Sequence, residues 1–195
     1  MKALRLGAVL LAAGLGSRFS AGNKLLHPYR GRPVLAWALD TLTLVPLVDR
    51  VVVIGVDDPA KRALVENHPV RIVENPRPAD GMGHSLALGI QMLAADLDAA
   101  FVCLGDMPDL SVSVFEILAI NFARHTKEAI VIPCYAGERG HPVLFGRAHF
   151  TTLTRLDGDQ GARKVVAGAT EVITVAFDDP RILRDIDTVA DLTPT

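Results

Sequence analysis

A run of small residues followed by two cations opens this chain: Ala12-Ala13-Gly14-Leu15-Gly16-Ser17-Arg18, then Asn23-Lys24. Without a Cβ in the way, backbone N–H groups of such a loop approach phosphate oxygens closely, and Arg18 and Lys24 add the charge that backbone dipoles lack. A second chemical group is Asp106, placed between the apolar run Ala100-Phe101-Val102-Cys103-Leu104 and Met107-Pro108. A carboxylate at a strand end suits Mg2+, which takes one or two carboxylates plus substrate phosphate oxygens. The second acid is sought in Asp185-Ile186-Asp187-Thr188, where both Asp185 and Asp187 qualify. Standing alone, Asp106 has a turn or helix-cap aspartate as its alternative reading.

Other readings of the first loop fit less well. A Walker A loop requires Gly-Lys-Ser/Thr, and Lys24 is followed by Leu25. A dinucleotide fingerprint begins at Gly14-x-Gly16, but Phe19 stands where Gly or Ala is needed for close helix packing. Lys2 and Arg5 before Leu6 to Ala13 resemble a signal peptide, yet the run passes into a polar loop and no small-residue cleavage site follows.

The elements that must position these groups alternate along the chain. Strand-like runs fall at Leu6–Ala12, Arg50–Val56, Val70–Val73, Ala99–Leu104, Ala129–Ile132, Pro142–Phe145, Val172–Ala176 and Ile182–Ile186. Helical patterns begin at Pro33 and cover Ser85–Leu93, Ser113–His125 and Gly161–Ala167. The alternation predicts a three-layer α/β fold with a mostly parallel sheet, one domain over residues 1–195, and ligands at the carboxyl ends of strands. Gly14 and Asp106 both fall there. Glu74 to Asp80 reads as a loop before a helix, and the segment Glu74–Gly83 is positioned to exclude water from the site.

Half the residues are apolar and the formal charge is −2, with no basic run, so nothing marks a nucleic-acid surface. No apolar run approaches the roughly 18 residues of a membrane span. Cys103 and Cys134 match no metal or redox spacing and read as buried free thiols, in keeping with the cytoplasm. The expected partner is a small molecule.

Six motifs in order extend this reading: LAAGLGSRF with Lys24, GMGHSLALGI (81–90), LGDMPD (104–109), GHPVLF (140–145), GDQGAR (158–163) and DIDT (185–188). Together they resemble the molybdenum cofactor cytidylyltransferases, relatives of the molybdopterin-guanine-dinucleotide synthases in the nucleotidyltransferase superfamily. The resemblance implies a three-layer, Rossmann-like nucleotidyltransferase fold. It implies that Leu11, Ala12, Ala13 and Gly14 cradle base and ribose, with Gly16, Ser17, Gly81 and Ser85 completing the nucleotide contacts. Arg18 and Lys24 would face the triphosphate, Asp106 and Asp187 would hold Mg2+, and His141, Asp159 and Arg163 would lie near the acceptor. Cytidylyl enzymes tend to read Leu-Ala-Ala-Gly where guanylyl enzymes read Leu-Ala-Gly-Gly, so Ala13 leans toward CTP. The chain departs from the family at Arg18-Phe19-Ser20, usually Arg-Met-Gly, and at Asp187-Thr188-Val189-Ala190-Asp191, usually Asp-Thr-Pro-Glu-Asp; His84 replaces a commonly small residue.

These parts imply transfer of CMP from CTP to the phosphate of a molybdopterin-type cofactor, with a molybdoenzyme or its chaperone as a further partner. The alternatives are a nucleotidyltransferase using GTP or another phosphorylated acceptor, a cofactor-binding chaperone without turnover, and an NAD(P)-dependent oxidoreductase. No Ser or Cys nucleophile with a partnered His accompanies the motifs.

Overall fold

Seven consecutive buried residues, Leu6–Ala12, form strand β1 of the computed structural model, which describes residues 3–14, 19–158 and 161–193. An uninterrupted apolar run is what an interior strand covered on both faces requires. Beyond β1 the chain makes a hairpin, β2 (Pro28–Tyr29) and β3 (Arg32–Pro33), then α1 (Val34–Leu44), β4 (Asp49–Gly55), α2 (Pro59–Val65), β5 (Arg71–Asn75) and α3 (Met82–Met92). It continues through β6 (Ala99–Leu104), α4 (Val112–Phe122), β7 (Ile130–Tyr135), β8 (Glu138–Arg139), β9 (Val143–Gly146), α5 (Phe150–Leu153), α6 (Arg163–Gly168) and β10 (Val172–Ala176).

The main sheet has the order β10-β7-β9-β6-β1-β4-β5, with β8 paired to β7. Its strands run parallel except β8 and β9, which are antiparallel to their neighbours. Side chains alternate across β1: Ala8, Leu10 and Ala12 join the cluster under α1 and α4, while Val9 and Leu11 join the one under α3. Leu39 and Phe115 fill the first cluster, Leu86 and Ile90 the second, which makes the three layers. In register, Leu11 lies opposite Leu104 and Ala12 opposite Ile54, so the carboxyl ends of β1, β4 and β6 finish together.

Several expected limits shift. Ile182–Ile186 is not a strand: Pro180–Leu183 forms a 3₁₀ turn, and the backbone there bonds outward, His141 N to Ile182 O (2.9 Å) and Ile186 N to Asp106 O (2.9 Å). The segment from Glu74 is not a free loop. Glu74 and Asn75 close β5, Asn75 accepts the Arg77 N–H at 2.8 Å, and Pro78–Asp80 forms a 3₁₀ turn that leads into α3. Ser85, where the sequence pattern began the helix, therefore lies within the first turns of α3, and Gly81, at φ +100°, takes the cap position. The sequence reading also passed over α2, although Asp58-Pro59 is a strong start signal: the Asp58 carboxylate accepts from the Lys61 N–H.

Candidate active site

Lys24 begins a short 3₁₀ turn capped by Asn23, whose side chain accepts the Leu25 N–H at 3.2 Å. That turn aims the Lys24 ammonium at the end of β6, where Nζ donates to Asp106 Oδ2 at 2.6 Å and to Asp187 Oδ1 at 2.9 Å. Lysine and Asp106 are largely buried, at 14% and 18% side-chain exposure, whereas Asp187 is open at 44%. Asp185 completes an acidic group: Asp106, Asp185 and Asp187 each offer an oxygen within 4.8 Å of the others.

Two devices put Asp106 here. The Gly105 N–H donates to Leu11 O at 2.9 Å, which ties the turn after β6 to the end of β1. A Cβ at Gly105 would sit 3.0 Å from that same oxygen, so only glycine follows this path without displacement. The Asp106 carbonyl then receives the Ile186 N–H, which brings Asp185 and Asp187 alongside.

The electrostatics follow from crowding. Burial works against the Lys24 charge, but Asp106 and then Asp187 outweigh it and lift the ammonium above its ordinary 10.5. Burial, and then the charges of Asp106 and Asp187, push the Asp185 carboxyl above the usual 3.8. Lys24 bonds two of the three clustered carboxylates, and Asp106 Oδ1 is buried with no hydrogen-bond partner among the described residues. A hard, oxygen-seeking divalent cation fits that donor set.

The expected acceptor side is adjacent. His141 is held mainly neutral by burial; a hydrogen bond to the Val102 backbone and the charge of Asp106 oppose that, and Arg163 reinforces it. Its Nδ1 is buried without a hydrogen-bond partner among the described residues, as is His84 Nε2. Arg163, at the start of α6, is exposed. On the nucleotide side, Ala12 and Ala13 are buried while Gly14 is exposed, and Gly83 N donates to Gly158 O at 2.8 Å, so the GMGHS and GDQGAR segments touch. The Ser85 hydroxyl is turned inward and accepts from Asn75 at 2.9 Å, which locks α3 to β5. Gly16, Ser17, Arg18 and Asp159 lie outside the described residues. Sequence reasoning assigned no role to Asp58, whose carboxylate accepts from Asn23 at 3.3 Å and which the Asp58-Pro59 start signal could have marked, or to Asp109 and Arg184, which contacts between distant segments reveal.

The mostly parallel α/β sheet, with Asp106 at the carboxyl end of β6, is the Rossmann-like fold of the nucleotidyltransferases. Residues 8–174 match the MobA-like NTP transferase domain, and the chain belongs to that family. Asp185 and Asp187 lie beyond the match. The chain is 31% identical over 190 residues to "nicotine blue oxidoreductase" of Paenarthrobacter nicotinovorans, covering 93% of this chain and 91% of that protein. It is 28% identical to Rv0371c of Mycobacterium tuberculosis, covering 96% and 95% of the two chains with a TM-score of 0.79. That protein has also been solved in complex with manganese, at a TM-score of 0.77 and the same identity and coverage. A nucleotidyl transferase from Methanothermobacter (Mth528), 21% identical with a TM-score of 0.80 over 96% and 94% of the chains, shares the fold.

Proposed function

We propose that the protein transfers CMP from CTP to the phosphate of a molybdopterin-type cofactor and releases pyrophosphate. The observation that carries the reading is the Lys24 ammonium bonded to both Asp106 and Asp187 at the carboxyl end of β6, beside the end of β1 at Leu11 and Ala12. The acceptor is a phosphate monoester, ionised near neutral pH, so its oxygen attacks the α-phosphorus without a general base. A new P–O bond forms, the bond to the bridging oxygen breaks, and pyrophosphate leaves with the electron pair. The obstacle is repulsion between two anions, and cations placed in advance lower it. Lys24 and Arg18 would screen the triphosphate, while His141, Asp159 and Arg163 would orient the acceptor. A divalent cation, Mg2+ in our reading, would be held by Asp106 and Asp187 and would neutralise phosphate charge. The choice of CTP rests on Ala13, and that of the acceptor on GHPVLF and GDQGAR.

A second reading, an NAD(P)-dependent oxidoreductase, is favoured by one observation: the name of the relative that is 31% identical over 93% of the chain. Pyrophosphate release with CTP and acceptor, set against loss of NAD(P)H absorbance, separates the two. Release of pyrophosphate with no nicotinamide turnover supports the transferase; the reverse overturns it.

A further inference from the structure

Asp109 lies three residues past Asp106, and its side chain is only 3% exposed. A carboxylate that deep must be fully partnered, since an unpaired buried charge is costly. Its partners come from two distant segments. Oδ2 accepts the Tyr29 hydroxyl at 2.8 Å and Arg184 at 3.2 Å, and Oδ1 meets the Arg30 guanidinium at 3.1 Å. Tyr29 follows Lys24 by five residues through the 3₁₀ turn, is 1% exposed, and is fixed to α1 by the Trp37 indole donating to its carbonyl at 2.9 Å. Arg184 immediately precedes Asp185 and spans the loop that follows, donating to the carbonyls of Asp191 (3.2 Å) and Thr193 (2.8 Å). Inside that loop the N–H groups of Asp187 and Thr188 donate to Asp191 at 3.1 and 2.7 Å.

We propose that Asp109 is a positioning residue: anchored by Tyr29, it fixes the Asp185–Asp187 loop beside Asp106 through Arg184, and so sets the spacing of the cation site. The inference rests on the reading of Asp106 and Asp187 as ligands of a divalent cation. Asp109 is too far inside to touch substrate; it acts through the two segments it joins. Asp109→Asn keeps the shape and one acceptor oxygen but removes the charge that holds two guanidinium groups together. Groups bonded directly to a metal ligand typically govern roughly 10–100-fold in affinity, and Asp109, which reaches the ligands through Arg184, should fall at the low end of that range.

Mn2+ titration calorimetry on the full chain tests this, with near-UV circular dichroism as the check on folding. The expected result is Mn2+ binding by the unaltered protein and roughly tenfold or more weaker binding by Asp109→Asn at an unchanged spectrum. Arg184→Gln, at a partly exposed side chain, should weaken binding similarly and serves if Asp109→Asn does not fold. The double variant should be no worse than the weaker single, because both cut one linkage. Raising Mn2+ should restore pyrophosphate release in either variant but not in Asp106→Asn. Unchanged Mn2+ affinity in folded Asp109→Asn or Arg184→Gln overturns the positioning role alone. Absence of Mn2+ binding by the unaltered protein overturns the cation site, and the inference with it.

Discussion

Replacing Lys24 with methionine keeps the stem and removes the ammonium, leaving Asp106, Asp185 and Asp187 with oxygens within 4.8 Å of one another and no lysine between them. Two charge-assisted hydrogen bonds vanish, at 2.6 and 2.9 Å. At about 1.5–3 kcal/mol for each bond to a charged group, the sum would reach about 3–6 kcal/mol. The Asp187 partner is 44% exposed, so solvent screens it and its bond adds little. The expected loss is then about 1.5–3 kcal/mol, or roughly 3–12 °C in Tm for a chain of this size. Because Asp106 and Asp187 outweigh burial and raise the Lys24 pKa, this contribution is complete below 10.5 and disappears only as pH rises through the folded value. Urea or thermal unfolding with and without Mn2+ reads both halves of the argument. Mn2+ should restore more stability to Lys24→Met than it adds to the unaltered protein, since a ligand stabilises the state that binds it better. Turnover with CTP should fall as well. Unchanged stability together with an unchanged rate would refute the placement of Lys24 in the site.

Asp106→Ala should fold, because the backbone carbonyl that receives the Ile186 N–H is kept, and should lose nearly all pyrophosphate release; near-normal release at ordinary Mg2+ would contradict its metal role. Asp58→Ala removes the cap of α2, the Lys61 ion pair at 3.0 Å and the tie to Asn23, and should cost about 1–2 kcal/mol in urea unfolding. The Asp58 carboxyl is burdened by burial but held below its usual 3.8 by Lys61 and Asn23, so that contribution is complete at neutral pH and is lost on acidification through the folded pKa. A difference between the two proteins that persists undiminished in strong acid would count against this assignment.

The sheet was legible where a strand is mostly apolar and β-branched or aliphatic. Leu6–Ala12, Ala99–Leu104 and Val172–Ala176 appear with the same limits in sequence and structure. Short or locally driven elements were not: β2, β3 and β8 have two residues each, too few for a periodicity. Ile182–Ile186 has the composition of a strand, but Pro180 and the bonds to His141 and Asp106 bend it into the site instead. Asp106 and Lys24 were readable as chemistry because their neighbours mark a strand end and a loop. Asp109 and Arg184 were not, because a pairing across 75 residues leaves no local pattern.

The central claim is a cytidylyl transfer, and steady-state pyrophosphate release with CTP, UTP, GTP and ATP at equal concentration, each with a molybdopterin-type acceptor, tests it most directly. A pocket that pairs with the cytosine N4 amino group and O2 would leave partners unmatched with UTP and lack room for a purine. Each unmatched buried group costs about 1–3 kcal/mol, so CTP should lead the others by roughly tenfold or more. A lead by GTP would contradict the cytidylyl assignment and leave the fold and acidic cluster as described; release with none of the four would contradict nucleotidyl transfer to this acceptor.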